Sequence, residues 1–172
     1  MTEPIAIRAL DPSDWHAFRE IRLLALQTEP GVFFSSYLAE LALAPQDWQE
    51  RIAGAGRVVF GLFAGDELIG ITGVVTDRDD PTGTTAMLAM SYIRPEHRGR
   101  GLTALFYEAR LRWIAAQPRF TRAIVSHRAS NTASARAIQR HGFIRVGHAA
   151  RTWPDGTTED EVRYELLVTR LG

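Results

Sequence analysis

Ile93-Arg94-Pro95-Glu96-His97-Arg98-Gly99-Arg100-Gly101-Leu102-Thr103 is the stretch from which the fold can be read. It closes an apolar run, Met87 to Ile93, and opens a segment whose apolar residues, Leu102, Leu105, Phe106, Ala109 and Trp113, recur at helical spacing. A strand, a glycine-rich turn and a helix start therefore follow in direct succession. The first N–H groups of a helix have no intrahelical acceptor and lie at the positive end of its dipole. Gly99 and Gly101 keep Cβ atoms away from that backbone, so a ligand can approach the successive amides as it would an anion-binding nest. Arg98 and Arg100 add guanidinium forks that match phosphate oxygens. The local chemistry is that of a diphosphate site, although these few residues alone fit a solvated arginine-rich turn equally well. The spacing excludes the G-x-x-x-x-G-K-[ST] loop, and no G-x-G-x-x-G is followed by an acid on a next strand.

Outward from this stretch the chain reads as alternating strands and helices. Ile5 to Leu10 predicts a strand, and Asp11-Pro12 a helix start with Asp11 as N-cap and Pro12 in the first helical position. Helical patches follow over Phe33 to Leu41 and Pro45 to Ile52. Arg57 to Ala64 and Glu67 to Thr76 read as strands around a Gly65-Asp66 hairpin turn, and Thr84 to Ile93 as a third long strand. The glycine-turn helix runs to about Ala116, then a strand over Arg122 to His127, a helix over Thr132 to Arg140, and strands over Phe143 to Arg151 and Val162 to Val168. The pattern is an α/β fold: a mixed, largely antiparallel central sheet flanked by helices, in the order β-α-α-β-β-β-α-β-α-β-β, with room for a third helix before the second strand. A chain of 172 residues without a linker or repeat is expected to be one domain, 1–172.

Composition narrows the chemistry. The formal net charge is zero, so no global field draws the chain to nucleic acid or to an anionic membrane. No apolar run is long enough to span a bilayer, and Met1-Thr2-Glu3-Pro4 begins no signal peptide, which gives a cytoplasmic expectation. There is no cysteine, which excludes disulfides, thiolate metal sites and an acyl-cysteine intermediate. Every basic residue is arginine, which removes Schiff-base chemistry. The histidines are scattered without carboxylates at ligand spacing, so no metal site is expected.

A second motif stands thirty residues downstream: Asn131-Thr132-Ala133-Ser134-Ala135-Arg136-Ala137-Ile138-Gln139-Arg140-His141-Gly142-Phe143. The turn at Arg98 to Thr103 resembles the Arg-x-x-Gly-x-Gly/Ala signature of the GNAT superfamily of acyl-coenzyme A N-acyltransferases, with Thr103 at the final small position. The downstream segment resembles the same superfamily's Asn-x-x-Ser/Ala helix ending in Gly-Phe. The resemblance is specific over Leu88 to Phe143 and general over the N-terminal third; within the superfamily it points to the subgroup of ribosomal-protein N-terminal acetyltransferases.

The resemblance implies acetyl-CoA as co-substrate and no metal. The pantetheine arm would pair with the backbone of Ser91, Tyr92 and Ile93, and an amide near Ile93 or Ser91 would polarise the thioester carbonyl. The diphosphate would lie against Arg98, Gly99, Arg100, Gly101, Leu102 and Thr103. Asn131, an N-cap by its position, would also stand beside the pantetheine amides. Many relatives carry a tyrosine four residues after Ser134 that protonates the leaving thiolate; Ile138 stands there and cannot donate, so Ser134 is the candidate donor. The strand before the glycine turn lacks an acid, which leaves His127 as the candidate base, with Tyr92, Glu40 and a chain of ordered water as alternatives. His127 also fits a strand-end histidine satisfied by backbone. Asp79 and Asp80 read as solvated loop charge, and Trp153-Pro154-Asp155-Gly156 as a turn. The expected activity is direct acetyl transfer to a primary amine, either a small molecule or a protein N-terminus. An O-acyltransferase and a catalytically silent acyl-CoA-binding module stay open, as does a homodimer.

Overall fold

The computed structural model describes residues 2–169; the ends of the expected 1–172 domain, residue 1 and residues 170–172, lie outside the described residues. Along them run β1 (Ile5–Ala9), α1 (Trp15–Thr28), α2 (Tyr37–Leu41), α3 (Pro45–Ile52), β2 (Ala53–Gly54), β3 (Arg57–Ala64), β4 (Glu67–Thr76) and β5 (Thr85–Ile93). After the glycine turn come α4 (Thr103–Ala116), β6 (Arg122–Arg128), α5 (Thr132–Arg140), β7 (Ile144–Thr152) and β8 (Thr158–Leu167). The sheet order is β1-β3-β4-β5-β6-β8-β7, with the short β2 paired to β3. Every pairing is antiparallel except β5 with β6, the pair joined by the α4 crossover. This is the mixed, largely antiparallel sheet read from the sequence.

Apolar side chains on the two faces of the strands sort the helices into layers. Phe18, Ile21 and Leu26 of α1 and Trp48 and Ile52 of α3 pack on Val59, Leu68 and Ile71. On the opposite face Tyr107 and Ile114 of α4 and Ile138 of α5 cover Phe60, Val74, Leu88 and Val125. Each large side chain so buried contributes about 1.5–3 kcal/mol against exposure.

Four local expectations are corrected. The helix expected from Pro12 opens as a 3-10 turn, Pro12–Asp14, in which Asp11 accepts from Ser13 N–H at 2.8 Å, before α1 begins. The patch over Phe33 to Leu41 is helical only from Tyr37, because Ser36 caps α2 by accepting the Ala39 N–H at 3.2 Å. Its two phenylalanines serve elsewhere: Phe33 is buried, and Phe34 stacks on Trp153 with ring centroids 5.4 Å apart. β8 begins at Thr158 rather than Val162, since its polar first turn is held in register by β7, with Arg151 opposite Glu159. On α4 the fully covered stripe is Phe106, Tyr107, Arg110 and Ile114, rotated from the stripe that apolar spacing suggested.

The sheet is interrupted where it matters for function. β5 and β6 pair only at Thr85–Arg122, Ala86–Ala123 and Met87–Ile124, while β6 continues to Arg128 with β8 as its partner. From Leu88 onward the β6-facing edge of β5 has no strand partner. On its other side β5 carries a bulge: Ala89 lies opposite Gly73 and Tyr92 opposite Ile71, so Met90 and Ser91 share Thr72. Met90 takes φ 62°, and a Cβ on Gly73 would come within 2.7 Å of its Cε, so glycine gives the bulge its room.

Candidate active site

The splay produces a cleft. A cavity of about 520 Å³ has Ser91, Tyr92 and Ile93 on one wall and Arg128, Ser130 and Asn131 on the other, with Arg98 and Thr103 at its mouth. A second cavity, about 310 Å³, shares Val32, Ser91, Arg128 and Asn131 with the first and reaches Arg110, His127 and Trp153. Of the expected coenzyme residues, Ser91, Tyr92, Ile93, Arg98, Thr103 and Asn131 line one cleft, whereas Gly99, Arg100, Gly101 and Leu102 are not part of its wall.

At the mouth, Gly99 and Gly101 have φ 74° and 72°, values at which other residues are strained, and nothing lies within 4 Å of where their Cβ atoms would be. Among the described residues no protein acceptor takes the N–H groups of Gly99, Arg100, Gly101, Leu102 or Thr103. Thr103 opens α4, and Leu102 before it supplies no side-chain cap. These exposed amides at a helix start fit a diphosphate.

The two arginines differ. Arg100 is exposed and meets only the His97 Nδ1 at 3.2 Å. Arg98 is committed to the protein: its Nε donates to the Ile93 carbonyl at 2.7 Å, its Nη1 meets Glu29 at 2.8 Å, and its guanidinium lies 5.4 Å from the Tyr92 ring centre. It fastens the end of β5 to the segment after α1. The other lip is fastened by Arg128, which donates to the Gly31 carbonyl at 3.0 Å and to Asp155 at 2.7 Å, and also bonds Glu159 and Thr157. Residues 29–32 therefore bridge the two walls.

Asn131 caps α5, its Oδ1 accepting the Ser134 N–H at 3.1 Å, and it lines both cavities. Ser134 does not: one turn into the helix, it forms no part of either cavity wall. Ile138 is fully buried in the core. His127 reaches the second cavity, but both ring nitrogens are engaged. Nδ1 lies 2.7 Å from the Arg128 carbonyl, which makes it the donor, and Nε2 lies 3.0 Å from the Tyr164 hydroxyl and accepts from it. In this tautomer the histidine has no lone pair to offer an ammonium proton.

The alternative bases are also occupied or remote. Burial is the largest influence on the Glu40 carboxyl and would raise it, but the hydrogen bonds and charge of Arg22, the charge of Arg51 and a bond from Ser35 together hold the group below its ordinary value. The Tyr92 hydroxyl is buried with no partner among the described residues, and the ring belongs to the α1–α3 core. Asp80 organises its loop by accepting from Thr82 and Thr85 and is held well below the usual carboxylate range by those two bonds.

Sequence reasoning missed Arg110 and Thr72. Arg110 is 1% exposed, donates from Nη1 to the Ser91 hydroxyl at 3.0 Å and from Nε to the Phe106 carbonyl at 3.2 Å, and its burial pulls it down to about 10. Thr72 shares a 2.9 Å hydroxyl–hydroxyl bond with Ser91. The signal was present: Phe106, Arg110 and Ile114 fall on one helical stripe, four residues apart. Beyond the second cavity a charged groove of about 440 Å³ carries Asp77, Asp79 and Glu161 among arginines. Among the described residues no cluster of His, Asp or Glu is arranged to hold a metal, and no helix is long and apolar enough to cross a membrane.

Among curated proteins, none matches the chain by sequence. Solved structures match it over nearly their whole length. An acetyltransferase of the GNAT family from Streptococcus pneumoniae is 19% identical with a TM-score of 0.81, covering 96% of this chain and 100% of its own. Salmonella typhimurium yncA, a structure with its cofactor acetyl-CoA, is 18% identical with a TM-score of 0.79, covering 98% and 96%. The Salmonella typhimurium acetyl transferase that modifies the N-terminal serine of ribosomal protein L7/L12 is 17% identical with a TM-score of 0.74, covering 96% and 95%. At these identities the likeness shows the fold. The family described as "Acetyltransferase (GNAT) domain" matches residues 5–144, most of the chain and all of the cleft's motif residues, and the chain belongs to that family.

Proposed function

We propose that the chain, acting as one domain, binds acetyl-CoA in the splayed cleft and transfers the acetyl group directly to a primary amine. The observation that carries this reading is the unpartnered edge of β5 from Leu88 to Ile93, leading straight to the exposed amides of the glycine turn. An extended pantetheine arm supplies amides that can pair with such an edge, while the turn receives the diphosphate. The Salmonella structure that holds acetyl-CoA in the same fold supports the donor's identity. The acceptor is an amine of a small molecule or of a protein N-terminus, the latter supported by the relative that modifies an N-terminal serine.

The reaction needs no covalent enzyme intermediate, and without cysteine the chain offers no thiolate for one. The acceptor ammonium first loses a proton. The neutral amine then adds to the thioester carbonyl, and the oxyanion that forms is held by β5 amides; a preorganised donor of this kind is worth about 3–4 kcal/mol of barrier. Collapse breaks the C–S bond, coenzyme A leaves as a thiol, and one proton in net goes to solvent. Because His127 and Glu40 are occupied and Ser134 stands off the cavity walls, both proton transfers run through water in the cleft.

Gly101→Asp tests the site. The side chain enters open space at an αL position that Asp tolerates better than most residues, so the fold is retained while a negative charge faces the diphosphate. Titration calorimetry should show at least about a hundredfold loss of acetyl-CoA affinity, equivalent to about 2.7 kcal/mol. Unchanged affinity, with circular dichroism unchanged, would place the coenzyme elsewhere. Release of free thiol from acetyl-CoA with a panel of amines and alcohols separates N-transfer from O-transfer and from a silent binding module.

A further inference from the structure

The second cavity is lined by cations, one of which lacks a counter-charge. Its wall carries three arginines and a histidine but no aspartate or glutamate. Arg128 is neutralised by Asp155 and Glu159. Arg22 holds Glu40 through Nε and Nη2, which leaves its Nη1 buried with no partner. Arg110 has no carboxylate partner at all: it bonds the Ser91 hydroxyl and the Phe106 carbonyl, and its remaining neighbour is Tyr107, whose ring centre lies 4.6 Å away and whose hydroxyl it also meets. A buried, uncompensated guanidinium is costly to a fold. Here it is fixed in place by Ser91, the residue that Thr72 holds at the bulge and that lines both cavities.

We infer that Arg110, with Arg22 beside the same cavity, forms a subsite for a carboxylate carried by one of the two substrates. This rests on the proposed acyl transfer in the cleft and narrows its substrate class. The diphosphate is accommodated at the glycine turn and the pantetheine arm is uncharged, so the coenzyme itself brings no anion to this cavity. A carboxylate can arrive on the acceptor, as in an α-amino acid whose amine then faces the thioester, or on the acyl group, as in a dicarboxylic acyl thioester. In either case the ligand's charge complements the guanidinium of Arg110, and the unpartnered Nη1 of Arg22 adds a donor. The same wall repels acceptors that carry several cationic groups.

The test compares free α-amino acids with their carboxamides as acceptors for acetyl-CoA, and succinyl-CoA with acetyl-CoA as donors to the carboxamides, reading thiol release. The carboxylate form should be preferred in one arm by at least about tenfold in kcat/KM, the scale of a lost charged hydrogen bond, and Arg110→Gln should bring that preference close to unity. Preference in the first arm assigns the carboxylate to the acceptor, and in the second to the acyl group. Equal rates in both arms, or a preference that survives Arg110→Gln, would overturn the subsite while leaving acetyl transfer intact. Where no compound supports transfer, thermal unfolding decides: the amino acids and succinyl-CoA are then compared with the carboxamides and acetyl-CoA. A carboxylate-dependent rise in Tm in wild type, absent in Arg110→Gln, sustains the subsite, and no such rise refutes it. The wild-type comparison needs no variant, so a poorly folding Arg110→Gln leaves the test standing.

Discussion

Replacing Glu40 by Gln should destabilise the protein severely, and the size follows from what the carboxylate touches. Its two oxygens take Arg22 Nε and Nη2 at 3.0 Å each, and Arg51 Nη1 lies 3.2 Å away. The Glu40 and Arg22 side chains are 3% and 6% exposed, whereas Arg51 reaches water at 36%. The amide keeps one acceptor oxygen but loses the charge, leaving the Arg22 guanidinium buried beneath the Phe33 ring without a counter-ion. Breaking one side of such a pair costs about 3–5 kcal/mol. For a chain of this length each kcal/mol is worth about 2–4 °C of Tm, so a fall of about 6–20 °C is expected by calorimetry at pH 7. The pH dependence has a definite sign. The folded Glu40 carboxyl lies below its unfolded value, so its contribution is complete above about pH 4.3, the unfolded value, and disappears as the pH falls through the folded one. The gap between wild type and E40Q should therefore be widest near neutrality and close in acid. Converting both partners, Arg22→Leu with Glu40→Leu, should recover most of the loss. A Tm drop under about 2 °C for E40Q would refute the account of a buried pair holding α1 to α2. Full stability combined with a collapse in kcat would return Glu40 to the role of base.

Asn131→Ala removes the cap on α5 and should cost about 1 kcal/mol in urea unfolding, together with a measurable loss of acetyl-CoA affinity because Asn131 also lines the cleft. A loss of stability with affinity unchanged would confine this residue to its capping role. Ser134→Ala should leave kcat within about a factor of three of wild type, since its hydroxyl is off both cavity walls; a fall of about 10²–10⁴ with chemistry rate-limiting would make it the proton donor after all.

What could be read from the sequence was whatever depends on neighbours along the chain. Asp11 and Asn131 declare their caps, Gly99 and Gly101 their turn, and the strands their apolar runs. The errors arose where distant residues decide. Phe33 and Phe34 have the spacing of a helix start, yet one enters the α1–α3 core and the other stacks on Trp153, far along the chain. Arg110 escaped notice because a charged residue is ordinarily placed at the surface, although its place on the stripe of Phe106 and Ile114 puts it inside. His127 sits where a base could be wanted, and only the paired strand β8 reveals that Tyr164 already occupies its Nε2.

The cleft itself has a compact physical origin in β5. An exposed strand edge inside a sheet leaves N–H and C=O groups without partners, a state proteins ordinarily avoid by pairing or covering the edge. Here β5 and β6 part after their last shared pair, Met87–Ile124: the bulge at Met90 and Ser91 alters the course of β5 just past it, while β6 runs on beside β8, its partner on the other edge. The same extra residue turns the Ser91 hydroxyl to Thr72 and Arg110, so the feature that opens the sheet also fixes the guanidinium inside the opening. Two unmet demands are thereby placed side by side: backbone groups that need an extended partner, and a cation that needs an anion. In the proposed reading an acyl-pantetheine arm answers the first and a substrate carboxylate the second. Ligands that satisfy groups already buried in the folded chain add their binding energy to its stability through mass action. The cleft is therefore held open by the fold itself.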